Sequence, residues 1–191
     1  MAHVVLIPGT HGNLGDISSR WWTPGSAIWS MLIEAGHRVT SFPWDTYVDG
    51  LLGENSSWIK AGRRLQATMP ACASVIAHSH GGAVVAYAAA HGAQFGTVIT
   101  LGTPPRSDVP YRALPKHSNF WAHLYGDWRD FWAVLGAAGD GEFNWWQRSM
   151  PCADKNISCR ANHTDLCTAK VLREAGVLKL LEGQNHEAVS Y

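Results

Sequence analysis

Short apolar runs alternate along this chain with longer segments in which apolar residues recur at helical spacing. The apolar runs predict β-strands at 3–9, 37–44, 74–79, 97–104, 120–126 and, more briefly, 156–160. The spaced pattern predicts helices at 24–36, 54–69, 81–91, 130–138 and 164–181. Strands that alternate with helices indicate a mostly parallel sheet with helices on both faces. The pattern therefore predicts an α/β fold.

Length and charge limit the class of protein. The 191 residues suffice for one domain with a sizeable core, so we expect a single domain over 1–191. Lys plus Arg and Asp plus Glu both number 15, which gives a formal net charge of zero. A nucleic-acid partner would need a basic face, and binding to anionic lipid would need positive charge as well. We expect neither partner, and the sequence identifies no protein partner.

The apolar content of the chain raises the question of a membrane or secretory segment. No charged residue occurs between 65 and 105. That stretch is interrupted by Pro70, the 78–82 turn and Gly96, so it predicts buried strand–helix–strand packing rather than a transmembrane segment. At the N-terminus a strand begins at once, without a basic segment followed by an apolar one. The pattern predicts no signal peptide and a cytoplasmic location.

Cysteine spacing gives no sign of a metal site. Cys72, Cys152, Cys159 and Cys167 show neither C-x-x-C spacing nor a matching histidine pattern, so the sequence predicts no zinc site. We expect no metal and no cofactor. A disulfide among the last three stays open. Free thiols are the simpler expectation.

A serine lies between two histidines where a predicted strand changes abruptly into a helix. The segment is "VIAHSHGG", residues 75–82, and the turn carries Ser79 to an exposed tip. This is the context of a nucleophile elbow, usually written G-x-S-x-G. Ala77 stands at the first glycine position and Gly81 at the second. The following helix would place free backbone N–H groups and a positive dipole end beside Ser79.

Four segments together resemble the α/β-hydrolase superfamily, in particular its small lipase- and esterase-like members. They are "VVLIPGTHG" (4–12), "AHSHGG" (77–82), "VITLGTPPR" (98–106) and "ANHTDL" (161–166). These look like the oxyanion loop, the elbow, the strand after it and the histidine loop, in the family's order. The resemblance implies a serine hydrolase that cleaves carboxylic esters through an acyl-enzyme. Thioesterase or amidase activity stays open, and a non-catalytic ligand-binding protein with the same fold is a further alternative.

The resemblance also implies a role for each site residue. Ser79 would be the nucleophile and His163 the general base. The backbone N–H groups of Thr10 and His80 would form the oxyanion hole. For the acid, "YGDWRDFW" offers two aspartates, and we prefer Asp130, because relatives place a bulky apolar residue two positions after the acid; Asp127 stays the alternative.

Substrate-binding candidates come from loops at the predicted working edge of the sheet. They are His11, Trp44, Trp128, Trp132, Trp145 and Trp146. The interval 104–118 is too short for a helical cap domain, so the fold would be a minimal form with an open site. We expect a small-molecule or lipid-like ester as the substrate.

Overall fold

The sheet contains six strands in the order β2-β1-β3-β4-β5-β6. The computed structural model describes residues 1–10, 20–44, 57–127 and 148–183. The strands are β1 (His3–Ile7), β2 (Arg38–Ser41), β3 (Ser74–His78), β4 (Phe95–Leu101), β5 (Ser118–Tyr125) and β6 (Lys155–Ser158). Each neighbouring pair is parallel. The structure therefore confirms the α/β fold with a parallel sheet.

Helices cover both faces of this sheet. They are α1 (Ala27–Glu34), α2 (Ser57–Thr68), α3 (Gly81–Ala90), α4 (Leu114–His117), α5 (Ala169–Glu174) and α6 (Val177–Leu181). Side chains alternate between the two faces along each strand. In β1, Val5 and Ile7 join the core under α2, α3 and α4, whereas Val4 and Leu6 join the core under α1, α5 and α6.

The central strand and the helix that precedes it explain the long uncharged stretch. All seven residues of β4 are buried, and eight of the ten residues of α3 are buried too. A parallel strand that is covered on both faces has no solvent-exposed side on which to place a charge. Small alanine side chains let α3 lie close to both the sheet and α2. In the part of the chain that the structure describes, no helix is long and apolar enough to cross a membrane.

The prediction of one continuous closing helix at 164–181 is wrong. The structure has a 3-10 turn at Asp165–Cys167, followed by the separate helices α5 and α6. Thr168 starts a new helix because its hydroxyl accepts a hydrogen bond from the Val171 N–H. Gly176 ends that helix in the left-handed region, at φ +73°. The expected loop at 104–118 likewise contains a 3-10 turn at Tyr111–Ala113 and α4.

All four cysteines lie within the described residues, and all four are free thiols. Cys72 is exposed, Cys152 is partly buried, and Cys159 and Cys167 are buried. The disulfide left open by the sequence is therefore not formed in this structure. Burial raises the pKa of the Cys152 and Cys159 thiols, which keeps both thiols protonated near neutral pH.

Candidate active site

The loops that carry the candidate residues leave the same edge of the sheet. Ile7 pairs with Ala77, and His78 pairs with Leu101, so β1, β3 and β4 end at one level. Because these strands are parallel, the residues after their carboxyl ends meet at that edge. Thr10, Ser79 and the residues after β4 are therefore brought close to one another.

Ser79 occupies the tight turn between β3 and α3. Its backbone is left-handed, with φ +53°, a conformation that costs a non-glycine residue about 1–2 kcal/mol. Hydrogen bonds to both the N–H and the carbonyl of Ser79 hold this turn. Its N–H donates to the Leu101 carbonyl at 2.8 Å, and its carbonyl accepts from Gly82 N and Thr103 Oγ1, both at 3.0 Å. Strain that is held in place by surrounding contacts is typical of functional sites.

Close packing explains the small residues around this turn. A Cβ on Gly9 would lie 2.7 Å from Ser79 Cβ, and a Cβ on Gly82 would overlap the Thr103 side chain. By contrast, Ala77 stands where the family pattern has a glycine. It is fully buried in β3, so its methyl group is accommodated there. The departure from G-x-S-x-G is therefore sterically tolerated.

His163 lies beside the Ser79 turn, on the segment that follows β6. A carbonyl only accepts hydrogen bonds, so His78 Nε2–H donates to the His163 carbonyl at 3.0 Å. The two imidazole rings are also in contact, with centroids 4.5 Å apart. A Cβ on Gly102 would lie 2.9 Å from His163 Nδ1. His163 is thus placed against both β3 and β4 at the working edge.

Of the two acid candidates, only Asp127 is within the described residues. It follows β5, and its backbone N–H donates to the Ala161 carbonyl at 3.2 Å. The end of β5 is thereby joined to the segment two residues before His163. Asp130 lies outside the described residues.

The oxyanion candidates are joined through their side chains. Thr10 Oγ1 and His80 Nδ1 are 2.7 Å apart, which links the loop after β1 to the first residue after Ser79. Desolvation of the His80 ring and the nearby charge of Arg106 lower the pKa of His80 to about 4; Asp108 opposes this shift and His163 adds to it. His80 is therefore a neutral imidazole near neutral pH.

Arg106 was missed as a site residue by the sequence reasoning. Its guanidinium lies 3.4 Å from the His80 ring and forms an ion pair with Asp108. One signal was present in the sequence, because Arg106 is the charged residue that ends the uncharged stretch from 65 to 105. A charge in the loop shortly after a buried strand marks a group that needs a specific partner if it is buried there.

The aromatic candidates are only partly placed by the structure. Trp44 is 3% exposed, and its indole N–H donates to the Pro8 carbonyl at 2.7 Å. It packs in the core under α2 and α3, so it supports the loop after β1 instead of offering a surface to a substrate. Trp21 is half-buried and contacts His78 edge-on. The other predicted contacts lie outside the described residues: His11, Trp128, Trp132, Trp145 and Trp146.

Comparison with known proteins identifies the fold. No protein-family model matches the sequence, and no curated protein matches it. Solved structures do match over nearly the whole chain. Alpha/beta hydrolase domain-containing protein 10 from mouse superposes with a TM-score of 0.56 at 14% identity, over 94% of this chain and 89% of that one.

Two further solved structures, an esterase and a hydrolase, are similar. Polyneuridine aldehyde esterase, solved as a variant, gives a TM-score of 0.55 at 12% identity, over 93% of this chain and 98% of that one. A pyrethroid hydrolase from Sphingobium faniae gives 0.55 at 14% identity, over 96% and 98%. The chain therefore adopts the α/β-hydrolase fold, as its four sequence segments predicted. Identities this low establish the fold alone.

Proposed function

We propose that this protein is a serine hydrolase that cleaves carboxylic esters, with Ser79 as the nucleophile and His163 as the general base. One observation carries the proposal: a serine held in a left-handed turn after a central strand, with a histidine from a distant segment against the same turn. The esterase and the pyrethroid hydrolase that share the fold give it further support. The substrate would be a small-molecule or lipid-like ester.

In the first step Ser79 Oγ attacks the ester carbonyl carbon while His163 takes the hydroxyl proton. The carbonyl oxygen becomes an oxyanion, which would be stabilised by the backbone N–H groups of Thr10 and His80. One such donor is worth about 10²–10³ in rate. The positive end of the α3 dipole also lies beside the turn.

In the following steps the tetrahedral intermediate collapses and the C–O bond to the leaving alcohol breaks. His163 donates its proton to that alcohol, so the acyl group remains on Ser79. Water then attacks the acyl-enzyme with His163 again as the base, and the acid product leaves. The acid of the triad would hold His163 in the right tautomer. We propose Asp130 for this role, with Asp127 as the alternative.

The test compares wild type with Ser79→Ala on p-nitrophenyl esters from acetate to palmitate. Ser30→Ala is the matched control, because Ser30 is exposed and lies on α1, which is not part of the elbow. We expect turnover by wild type and by Ser30→Ala, and none above background by Ser79→Ala. Equal activity in all three proteins would overturn the assignment of the nucleophile.

Two further measurements complete the test. A fluorophosphonate should label wild type and not Ser79→Ala; wild type that neither labels nor turns over any ester would instead support a non-catalytic ligand-binding protein. Labelling without ester turnover would point to a thioester or an amide. Asp130→Asn and Asp127→Asn should differ in residual activity, and the more damaging change identifies the acid, with about a 10⁴-fold loss expected.

A further inference from the structure

A buried arginine lies next to the Ser79 turn and is held in a fixed orientation. The Arg106 side chain is 3% exposed. Two parallel hydrogen bonds join it to Asp108, from Nε to Oδ1 at 2.8 Å and from Nη2 to Oδ2 at 2.5 Å. This bidentate arrangement fixes the plane of the guanidinium as well as its position. The third nitrogen, Nη1, lies 3.4 Å from His80 Nε2.

The chemistry of arginine then decides the tautomer of His80. A guanidinium has donors and no acceptor, so Nη1–H donates to His80 Nε2, at 3.4 Å. Nε2 must therefore carry a lone pair, and the hydrogen of the neutral ring is on Nδ1. Nδ1–H in turn donates to Thr10 Oγ1 at 2.7 Å. In each of these two hydrogen bonds the donor is therefore defined: Arg106 donates to His80, and His80 donates to Thr10 in the loop after β1.

This chain of bonds connects the two segments that carry the oxyanion candidates. His80 follows Ser79 directly, and Thr10 belongs to the loop after β1, 70 residues earlier in the sequence. No strand pairing joins these two residues, since the pairing of β1 with β3 ends at Ile7 and Ala77. The side-chain bond between His80 and Thr10 is therefore a direct link between the two segments, in addition to the packing of Gly9 against Ser79.

We propose that Asp108, Arg106 and His80 form a brace that holds Thr10 at the distance an oxyanion hole requires, which makes Arg106 and the His80 imidazole positioning residues. This inference rests on the proposed hydrolase function. Loss of the brace would leave the nucleophile and the base in place while the oxyanion donors drift apart. It should therefore lower kcat and leave KM nearly unchanged.

Thr10→Val and Arg106→Lys test the brace through its two ends. Thr10→Val removes the acceptor, and Arg106→Lys keeps the charge but loses the planar fork. We expect kcat on the best p-nitrophenyl ester to fall about 10-fold to 100-fold in each, less than for complete loss of a donor. Thr10→Ser should restore most of the rate, because it keeps the hydroxyl. Inhibition by a trifluoromethyl ketone, which forms a tetrahedral adduct, should weaken in parallel with kcat.

The double variant separates a brace from two independent defects. If Arg106 acts through His80 on Thr10, Thr10→Val with Arg106→Lys should be no slower than the worse single variant. Multiplied effects, or a change in KM alone, would overturn the proposal. Thr40→Val is the matched control, because Thr40 makes the same kind of hydroxyl–imidazole bond to His3, at 2.8 Å and at the opposite end of β1. It should keep wild-type kcat.

An activity-independent measurement distinguishes failure of the brace from failure of the hydrolase proposal. Nitrogen NMR of the imidazole rings, assigned with His80→Asn, should show the Nδ1–H form of His80 from about pH 8 down to about pH 5. Among the described residues, the charged or titratable groups that act on this ring are Arg106, Asp108 and His163. An Nε2–H tautomer, or a ring charged at neutral pH, would overturn the brace. The expected tautomer in a protein without esterase activity would instead overturn the proposed function.

Discussion

Replacing Gly102 by alanine should damage the proposed active site with only a modest loss of stability. Gly102 follows β4 at φ +55°, and its N–H donates to the Leu124 carbonyl at 2.8 Å. A Cβ at this position would lie 2.9 Å from His163 Nδ1 and 3.0 Å from Leu166 Cδ1, whereas ordinary contacts begin at 3.4 Å. The imidazole would therefore have to move by about half an ångström.

The structure allows the stability cost and the activity cost to be separated. The left-handed backbone costs alanine about 1–2 kcal/mol relative to glycine. Turning His163 away from its rotamer adds about 0.5–1.5 kcal/mol, so the free energy of unfolding should fall by about 1.5–3.5 kcal/mol. A displacement of about 1 Å in an active site costs about 10²-fold in rate. We expect kcat/KM to fall about 10-fold or more.

Gly176→Ala is the control that isolates the contact from the backbone. Gly176 lies between α5 and α6 at φ +73°, and a Cβ there would meet nothing within 4 Å. The Gly176→Ala variant should lose about 1–2 kcal/mol in free energy of unfolding and keep wild-type activity. Urea unfolding followed by tryptophan fluorescence measures the first quantity, and p-nitrophenyl ester hydrolysis the second. Gly102→Ala with wild-type kcat/KM would refute the reasoning, because His163 would then not be the base at this position.

The remaining predictions concern hydrogen bonds and one buried histidine. Thr103→Val should destabilise the protein by about 1 kcal/mol and also slow the proposed reaction, because it removes one of the two hydrogen bonds to the Ser79 carbonyl. Thr97→Val removes a buried hydroxyl bond to the Leu180 carbonyl and should affect urea unfolding alone. Trp44→Phe should lower the free energy of unfolding by about 1–3 kcal/mol, since it leaves the carbonyl before the oxyanion loop unpaired in the core; unchanged stability would contradict this. Burial and the charged N-terminus lower the pKa of His37 below 6.5, so its contribution to stability is present above about pH 6.5 and is lost as the pH falls. Wild type should therefore lose more stability between about pH 7.5 and about pH 5.5 than His37→Gln does, as measured by urea unfolding, and equal losses would contradict the assignment.

The sheet and its order along the chain follow from local patterns, which is why they were predictable. The four inner strands β1, β3, β4 and β5 are apolar runs that end at a glycine, a proline or a polar turn, and their alternation with helices indicates parallel pairing. The break in the closing helix depends on finer chemistry. Thr168 and Gly176 are weak signals inside a segment that is apolar at helical spacing. Pattern alone therefore joined two helices into one.

The site was predictable only where the chemistry is contiguous in the sequence. Ser79 is flanked by its own turn, so its conformation was expected from residues 77–82. The bond between Arg106 and His80 joins residues 26 apart, through the pairing of β3 with β4, and no local pattern contains it. Trp44 shows the same limit, because its position beside a loop predicted a substrate contact and its burial depends on α2 and α3.

The long separation of His78 from His163 has a consequence for synthesis of the protein. The hydrogen bond from His78 to the His163 carbonyl joins residues that are 85 apart in the sequence. Chains are made from the N-terminus at about 5–20 residues per second. The serine turn is therefore translated about 4–17 seconds before the proposed base. A chain that ends before residue 163 would lack the group that we propose takes the Ser79 proton. On the proposed mechanism, hydrolysis would therefore begin only after His163 had been made and had docked beside the serine turn.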